Sequence, residues 1–178
     1  MTTLETLLND PDMSGVWNLA PDRSAITFKT RNMWGLLNVK GRFTDFSGDG
    51  QLTAKGAVFG RIDILAASLH TGIGRRDRHL RAADFFDVER FAEVSVVVTA
   101  VHPAKGRAAD LRASCTIKGV TAPLPLHVTI AELDDGSIQI SGETKVDRSQ
   151  FDLGWNKFGM IGATATAAAK AVFVRATR

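Results

Sequence analysis

The sequence predicts an all-β protein, a single antiparallel β-barrel of about eight strands with short helical turns at its rim. Apolar side chains recur at every second position in several segments, which is the period of a half-buried strand. The clearest alternating pairs are Ile26 and Phe28, Ile62 and Ile64, and Val96 and Val98. Turn sequences such as Gly48-Asp49-Gly50 and Asp134-Asp135-Gly136 separate these segments, and nearest-neighbour hairpins are their simplest connection.

The length and composition favour one soluble globular domain. The chain has 178 residues, 44% of them hydrophobic and 23% charged, which suffices for a substantial core and excludes disordered and fibrous classes. The formal net charge of +3 has its clearest local source in arginines 75, 76, 78 and 81. Because Asp77, Asp84 and Asp87 are interleaved with that cluster, we expect no nucleic-acid partner.

The N-terminal residues 1–14 are predicted to be an extension with a short helix, and residues 15–178 the barrel domain. Leu4, Leu7 and Leu8 have the spacing of a helix turn, and Pro11 ends it. The segment has neither a basic start nor a continuous apolar run, so it is neither a signal peptide nor a membrane span. We expect a cytoplasmic protein with no membrane insertion; a removed leader would make it periplasmic or secreted.

The C-terminal segment carries conflicting propensities. Its alanines favour a helix, whereas Thr164, Thr166, Val172 and Val174 favour a strand. A barrel needs its last strand to cover the edge of the first, so a strand is predicted. Cys115 is the only cysteine, and its strand-like neighbours indicate an inert buried thiol.

The stretch from Arg75 to Phe91 is the one well-marked segment that does not resemble a strand. Asp77 is predicted to be the N-cap of a short helical turn, and Asp84 the cap of a second. The apolar residues between and after them should turn into the barrel. Asp147 is predicted to cap a similar single turn that tips Phe151 and Trp155 inward. Two such turns would frame an aromatic-lined mouth.

Few residues suggest catalysis or metal binding. Asp77, His79 and Asp84 are close enough in sequence to suggest an acid/base or metal site. No second histidine stands near His79, however, and HxH and HExxH spacings are absent, so no metal is expected. The chain also lacks a GxSxG elbow, and Cys115 has no histidine close in sequence.

Five segments together resemble the YceI-like family of polyisoprenoid-binding proteins. They are WNLAPDRSAITFKT, VKGRFTDFSG, SLHTGIGRRDRHLRAADFFDVERF, CTIKGVTAPLPLHV and VDRSQFDLG, in the family's order and spacing. The resemblance covers residues 15–178, and the segment around Asp77 and Phe85 is its most specific part. The chain departs from the family's pattern in having Asn32 in place of a histidine and Ala92 in place of a proline, and in lacking the usual secretion signal.

The resemblance implies an extended lipocalin-like barrel whose elongated hydrophobic lumen holds the tail of an isoprenoid quinone or similar lipid. No cofactor is implied beyond that bound ligand. The expected ligand-binding residues combine alternating strand positions with the capping segment and the C-terminal turn. They are Ile26, Phe28, Phe43, Ile62, Ile64, His79, Leu80, Phe85, Phe86, Val96, Val98, Phe151 and Trp155. The lipid's head group should need one or two polar partners from among Arg78, His79 and Asn32.

Three classes of function stay open at this point. The leading hypothesis is non-enzymatic binding, sequestration or transport of a long-chain lipid. The alternative is a hydrolase or isomerase that uses Asp77, His79 and Asp84 as acid/base groups on a hydrophobic substrate. In the third class the barrel is filled by its own side chains, since eight strands are near the size at which side chains suffice, and it serves as a structural or partner-binding protein. A homodimer through exposed strands or the N-terminal helix is also compatible with the sequence.

Overall fold

Strands dominate the computed structural model, which describes residues 4–32, 37–83, 85–151 and 164–176. The strands of this part of the chain are β1 (Gly15–Leu19), β2 (Ala25–Asn32), β3 (Leu37–Phe43), β4 (Phe46–Leu52), β5 (Val58–Leu65), β6 (Leu69–His70), β7 (Glu93–Pro103), β8 (Ala108–Ile117), β9 (Val120–Pro123), β10 (Leu126–Glu132), β11 (Ile138–Asp147) and β12 (Thr164–Arg175). The α-helices are α1 (Leu4–Leu8) and α2 (Gly74–Arg81). Short 3-10 turns cover Pro11–Met13, Pro21–Arg23, Ala66–Ser68 and Arg148–Phe151.

Most of these segments join into the eight strands of a closed antiparallel barrel. β1 and β2 form one interrupted strand, because both pair with β12, at Leu19 with Phe173 and at Ala25 with Lys170. β3 and β4 likewise form one interrupted strand, because β3 pairs with β2 and β4 pairs with β1. β9 and β10 both pair with β8. The ring then runs through β5, β7, β8, β10, β11 and β12 and closes on β1, and the predicted antiparallel barrel is confirmed.

The alanine-rich C-terminal segment is the strand that closes the barrel, as predicted. β12 pairs with β11 over ten positions from Thr164 to Phe173 and with β1 and β2 on its other side. Both edges of β12 therefore have hydrogen-bonded neighbours, which overrides the helix propensity of alanine. The predicted turn after Asp147 is also present, as the 3-10 turn Arg148–Phe151.

The prediction that Asp77 is a helix N-cap is wrong. α2 begins earlier, at Gly74, and its N-cap residue Ile73 makes no side-chain capping bond. Asp77 lies in the first turn of the helix and is only 3% exposed. Its Oδ1 atom accepts hydrogen bonds from the backbone N–H of Thr71, at 2.9 Å, and from the Thr71 hydroxyl. The carboxylate thus satisfies a donor in the chain leading into the helix. Asp84, the other predicted cap, lies outside the described residues.

The two helices cover opposite ends of the barrel. α2 belongs to the connection from Leu65, where β5 ends, to Glu93, where β7 begins. α1 lies at the end where β4 turns into β5, because Asn9, just after it, contacts the turn residue Gly56, where an added Cβ would be 2.9 Å from Asn9 Oδ1. These ends are called the α2 end and the α1 end below. In the described ranges, no helix is long and apolar enough to cross a membrane.

The buried apolar residues form two clusters, one towards each end. The larger includes Phe46, Ile64, Leu80, Phe85 and Phe151. The smaller joins α1 to the barrel wall. Its buried members are Leu4, Leu7, Ala109, Leu111, Val128 and Ile130. The predicted N-terminal helix is therefore packed onto the barrel, with Leu4 only 1% exposed.

Candidate functional site

The barrel encloses a cavity of about 510 Å³. Its wall is made largely of inward-facing apolar side chains. It extends from Leu7, Leu8 and Met13 at the α1 end to His79 and Leu80 at the α2 end. Small-molecule sites typically occupy about 300–1,000 Å³, so the space is of ligand size. The third class of function, a barrel filled by its own side chains, does not match this interior.

Small inward-facing residues create much of this space. Gly50 on β4 faces Gly60 on β5 across the sheet, and both line the cavity. On β12, Ala165, Ala167 and Ala169 line it at alternate positions. Successive side chains of a strand point to opposite faces, so a larger residue at any of these positions would project into the lumen. The alanines whose propensity favours a helix thus form part of the cavity wall.

Phenylalanines narrow the lumen towards the α2 end. Phe28 of β2 and Phe43 of β3 have ring centroids 5.5 Å apart. Phe43 meets Phe86 edge to face at 6.2 Å, and Phe86 meets Phe85 at 5.3 Å. Such tilted and edge-to-face pairs add to the stabilisation that burial alone provides. They tie the segment after α2 onto the barrel wall, and all four rings line the cavity.

Polar side chains from α2 and β2 lie on the cavity wall towards the α2 end. His79 and Arg76 come from α2, and both are half-buried. Arg76 is oriented by Thr71, because its Nε donates to the Thr71 hydroxyl at 2.9 Å and its terminal nitrogen to the Thr71 carbonyl at 3.1 Å. Thr30 of β2 also lines the cavity, and its buried Oγ1 has no hydrogen-bond partner in the described part of the chain. A buried hydroxyl without a partner is energetically unfavourable, so Thr30 is suited to bind a polar group of a ligand.

The two proposed acid/base residues that the structure describes, Asp77 and His79, do not lie together on the cavity wall. Asp77 is committed to Thr71, and its other carboxylate oxygen lies 3.5 Å from Nδ1 of His70. His79 lines the cavity, whereas Asp77 does not. Asp84 lies outside the described residues. Among the residues that the structure describes, no group of three or more histidine, cysteine, aspartate or glutamate side chains is arranged to hold a metal ion.

Cys115 lies on the cavity wall and is 4% exposed. Burial raises the pKa of its thiol to about 11, because the charged thiolate is poorly solvated in an apolar environment. At neutral pH the side chain is therefore a neutral thiol. This agrees with the sequence-based interpretation of an inert buried cysteine and makes Cys115 a poor nucleophile.

Most of the residues predicted to bind a ligand lie on the cavity wall. They are Ile26, Phe28, Phe43, Ile62, Ile64, His79, Leu80, Phe85, Phe86, Val96 and Val98. Phe151 turns inward as predicted, but it is packed in the core at 1% exposure and does not line the cavity. Trp155 lies outside the described residues. Of the residues suggested for a head group, Arg78 is exposed and off the wall, and the Asn32 side chain is not described.

Sequence reasoning missed several residues of the wall. Leu7, Leu8 and Met13 were assigned to an N-terminal extension, although the leucines carried a signal in their helical spacing. Gly60 and the alternating alanines of β12 are not evident from the sequence. Whether a small residue faces the lumen depends on the strand register, which the sequence alone does not give. In the sequence, Arg76 belongs to a charge cluster and to the segment that resembles the YceI-like family most specifically, and neither feature predicts that it lines the cavity. No local pattern marked Thr30, whose environment is made by neighbouring strands.

Comparison with known proteins matches this architecture to a family. The model of the YceI-like domain matches residues 17–173. A UPF0312 protein of a Shewanella species is 33% identical over 106 residues, which are 58% of this chain and 55% of that protein. The match thus spans little more than half the length of that relative. A UPF0312 protein of Pseudomonas putida is 32% identical over 130 residues, which are 72% of this chain and 67% of that protein.

Solved structures show the same fold at lower identity. Burkholderia cenocepacia BcnA superposes with a TM-score of 0.80 at 22% identity, covering 89% of this chain and 99% of that one. A polyisoprenoid-binding domain from Saccharophagus degradans superposes with a TM-score of 0.74 at 16% identity, covering 90% of this chain and 98% of that one. With the family match over nearly the whole barrel, these likenesses lead to one conclusion: the chain belongs to the YceI-like domain family.

Proposed function

We propose that this protein binds a long-chain apolar lipid, an isoprenoid quinone or a similar isoprenoid or acyl lipid, non-covalently in its barrel lumen, and so sequesters or carries it. The observation that carries the proposal is the apolar cavity of about 510 Å³ that runs between the two capped ends of the barrel. The naming of the Saccharophagus degradans neighbour as polyisoprenoid-binding also supports it.

The apolar wall supplies the driving force without any catalytic group. Each buried CH₂ contributes about 0.8 kcal/mol before the costs of association. After those costs, the net binding free energy of a large ligand is about 0.3 kcal/mol per heavy atom. For a ligand of about forty heavy atoms this amounts to about 12 kcal/mol, which corresponds to near nanomolar affinity. The predicted wall residues on β2, β3, β5, β7 and the segment after α2 are then tail contacts. Affinity should rise with tail length as long as the tail fits.

The polar partners of the head group belong to the α2 end in this proposal. Arg76 and His79 bring N–H donors to the wall, and Thr30 brings a hydroxyl that has no hydrogen-bond partner among the described residues. A carbonyl or hydroxyl oxygen is the chemistry that these groups bind best. A quinone carbonyl fits that description, and so does the hydroxyl of an isoprenoid alcohol. The ligand would insert tail first, with its polar end near α2.

Binding is favoured over the alternative of a hydrolase or isomerase by the position of Asp77. Asp77 has its carboxylate bonded to Thr71 away from the cavity wall. The Cys115 thiol is neutral at physiological pH, with a pKa of about 11. Of the two acid/base candidates that the structure describes, His79 lines the cavity and Asp77 does not. A general base must lie within hydrogen-bond reach of the proton that it abstracts, and the Asp77 carboxylate does not line the cavity.

The proposal is tested by measuring lipid content and lipid uptake. Purified protein is extracted with organic solvent and the extract analysed by mass spectrometry; the delipidated protein is then offered a long-tailed quinone and examined by native mass spectrometry. We expect a one-to-one complex. A protein that yields no lipid and takes up no quinone would contradict the proposal. The His79→Ala variant separates the hypotheses: lipid uptake should persist through the tail contacts, weakened only by the loss of one head-group donor, whereas an enzyme dependent on His79 would lose turnover.

A further inference from the structure

Helix α1 and the turn after it lie across one end of the barrel. Leu4 and Leu7 are 1% and 5% exposed and pack with Leu111 and Ile130 of the barrel wall. A helix of five residues has no stability of its own in water, so these contacts hold it in place.

Hydrogen bonds fasten the chain that follows α1. The Trp17 indole N–H donates to the carbonyl of Met13 at 3.0 Å, and the Arg175 guanidinium donates to the carbonyl of Asp12. Both donors sit on strands of the closed barrel, β1 and β12. The segment from Leu4 to Met13 is therefore attached to the wall at each of its ends.

The inner surface of this segment is part of the cavity. Leu7, Leu8 and Met13 all line it, whereas Glu5 is exposed and does not. Leu8 is half-buried and lines the cavity, so a ligand in the lumen can contact its side chain. The side chains that α1 presents to the lumen are apolar, and the polar groups of α2 lie at the other end. This segment also precedes residue 17, where the match to the family begins.

We propose that the segment from Leu4 to Met13 is the floor of the lumen and sets the maximum length of the lipid tail. The inference rests on the proposed function and deepens it. The ligand lies with its hydrocarbon terminus against Leu7, Leu8 and Met13 and its polar group near α2. A tail that exceeds the distance from α2 to the floor must either leave part of itself in water or displace α1 from its packed position.

Variants of Leu8 test the floor in both directions. Delipidated full-length protein is mixed with an equimolar series of all-trans isoprenoid alcohols of increasing length, and the retained species are quantified by native mass spectrometry. Leu8→Trp should lower the longest length retained, and Leu8→Ala should raise it. Each methylene kept out of the lumen lowers affinity about fourfold, so an excluded isoprene unit should cost at least about tenfold. Glu5→Gln is the matched control on the same helix and should leave the length profile unchanged.

The outcomes separate this inference from the proposed function. Opposite shifts in the two Leu8 variants, with circular dichroism showing an intact barrel, would support the floor. Retention of the alcohols with the same length limit in the wild type and both variants would overturn it while leaving lipid binding intact. Failure of the wild-type protein to retain any alcohol of the series would overturn both.

Discussion

At the scale of single residues, Cys115 reports on the interior of the barrel. It is the only cysteine in the chain, it lines the cavity, and its pKa is raised to about 11. A thiol with that pKa holds about 100-fold less thiolate at pH 8 than one with the reference value of 9. We therefore expect a small thiol reagent to react with the native protein at least about 100-fold more slowly than with the urea-unfolded chain.

The pH profile of this reaction follows from the sign of the shift. The neutral thiol is the form favoured by burial, so the native rate should keep rising tenfold per pH unit beyond 9 and level off only near 11. The unfolded chain should level off near 9. Lipid in the lumen should slow the native reaction further. Equal rates for native and unfolded protein at pH 8 would show that Cys115 is not in the apolar environment described here.

Asp77 shows why residue roles at the α2 end could not be read from the sequence. An aspartate followed by a helix-forming stretch satisfies the N-cap pattern, and the prediction placed the helix start there. The N-cap is instead Ile73, four residues earlier, and Asp77 accepts hydrogen bonds from Thr71 and lies near His70. His70 belongs to β6, which pairs with β3. Its position depends on a strand nearly thirty residues upstream, which no local pattern encodes.

At the scale of elements, β4 and β5 widen the lumen through facing glycines. A Cβ added at Gly60 would meet its nearest neighbours, Asp49 O and Gly50 Cα, at 3.6 and 4.0 Å, which are ordinary contact distances. By contrast, a Cβ at Gly41 on β3 would lie 2.2 Å from Cζ of Phe28. The two glycines thus have different reasons for lacking a side chain. Gly60 leaves open space in the lumen, and Gly41 leaves room for the ring of Phe28.

Valine substitutions at these two positions should differ in their effect on stability. Gly60→Val should leave the free energy of unfolding unchanged or raise it by up to about 1 kcal/mol, because valine favours strands. It should also lower lipid affinity by about tenfold or more, because its side chain occupies lumen that the tail would fill. Gly41→Val should cost about 1–3 kcal/mol through overpacking against Phe28.

Urea denaturation and quinone uptake measured on both variants check this pair of predictions. The Gly41→Val variant is the control, because it adds the same side chain at a strand position where Phe28 already fills the space. A Gly60→Val protein as unstable as Gly41→Val, or one that binds the quinone as tightly as the wild type, would contradict the assignment of Gly60 to the lumen.

The sequence predicted strands correctly where apolar and polar residues alternate and where the barrel needs a closing strand. The period of two in β2, β5 and β7 and the need for a closing strand correctly predicted the barrel and β12. The internal volume was not predictable in the same way. It depends on Gly50 facing Gly60 and on which alanines of β12 point inward, and both follow from strand register. A shift of one residue would turn every one of these side chains to the other face.

At the scale of the whole molecule, stability and ligand binding are linked because the lumen exists only in the folded barrel. The strands on either side of it are distant in sequence, as Trp17 pairs with Arg175 to close the ring. Unfolding therefore destroys the cavity as a unit. A lipid that binds the native state alone stabilises it by an amount set by its concentration and dissociation constant.

This linkage predicts a large shift in thermal unfolding. At a free ligand concentration one hundred times Kd, the stabilisation is about 2.7 kcal/mol. For a chain of this size each kcal/mol moves the Tm by about 2–4 °C, so saturation with a long-tailed quinone should raise the Tm of delipidated protein by about 5–10 °C. Differential scanning calorimetry over a range of ligand concentrations measures the effect, with a short-chain quinone as the control that buries few methylenes. A Tm that stays constant while native mass spectrometry shows a one-to-one complex would mean that the lipid binds the unfolded chain equally well, and the folded lumen would then not be its site.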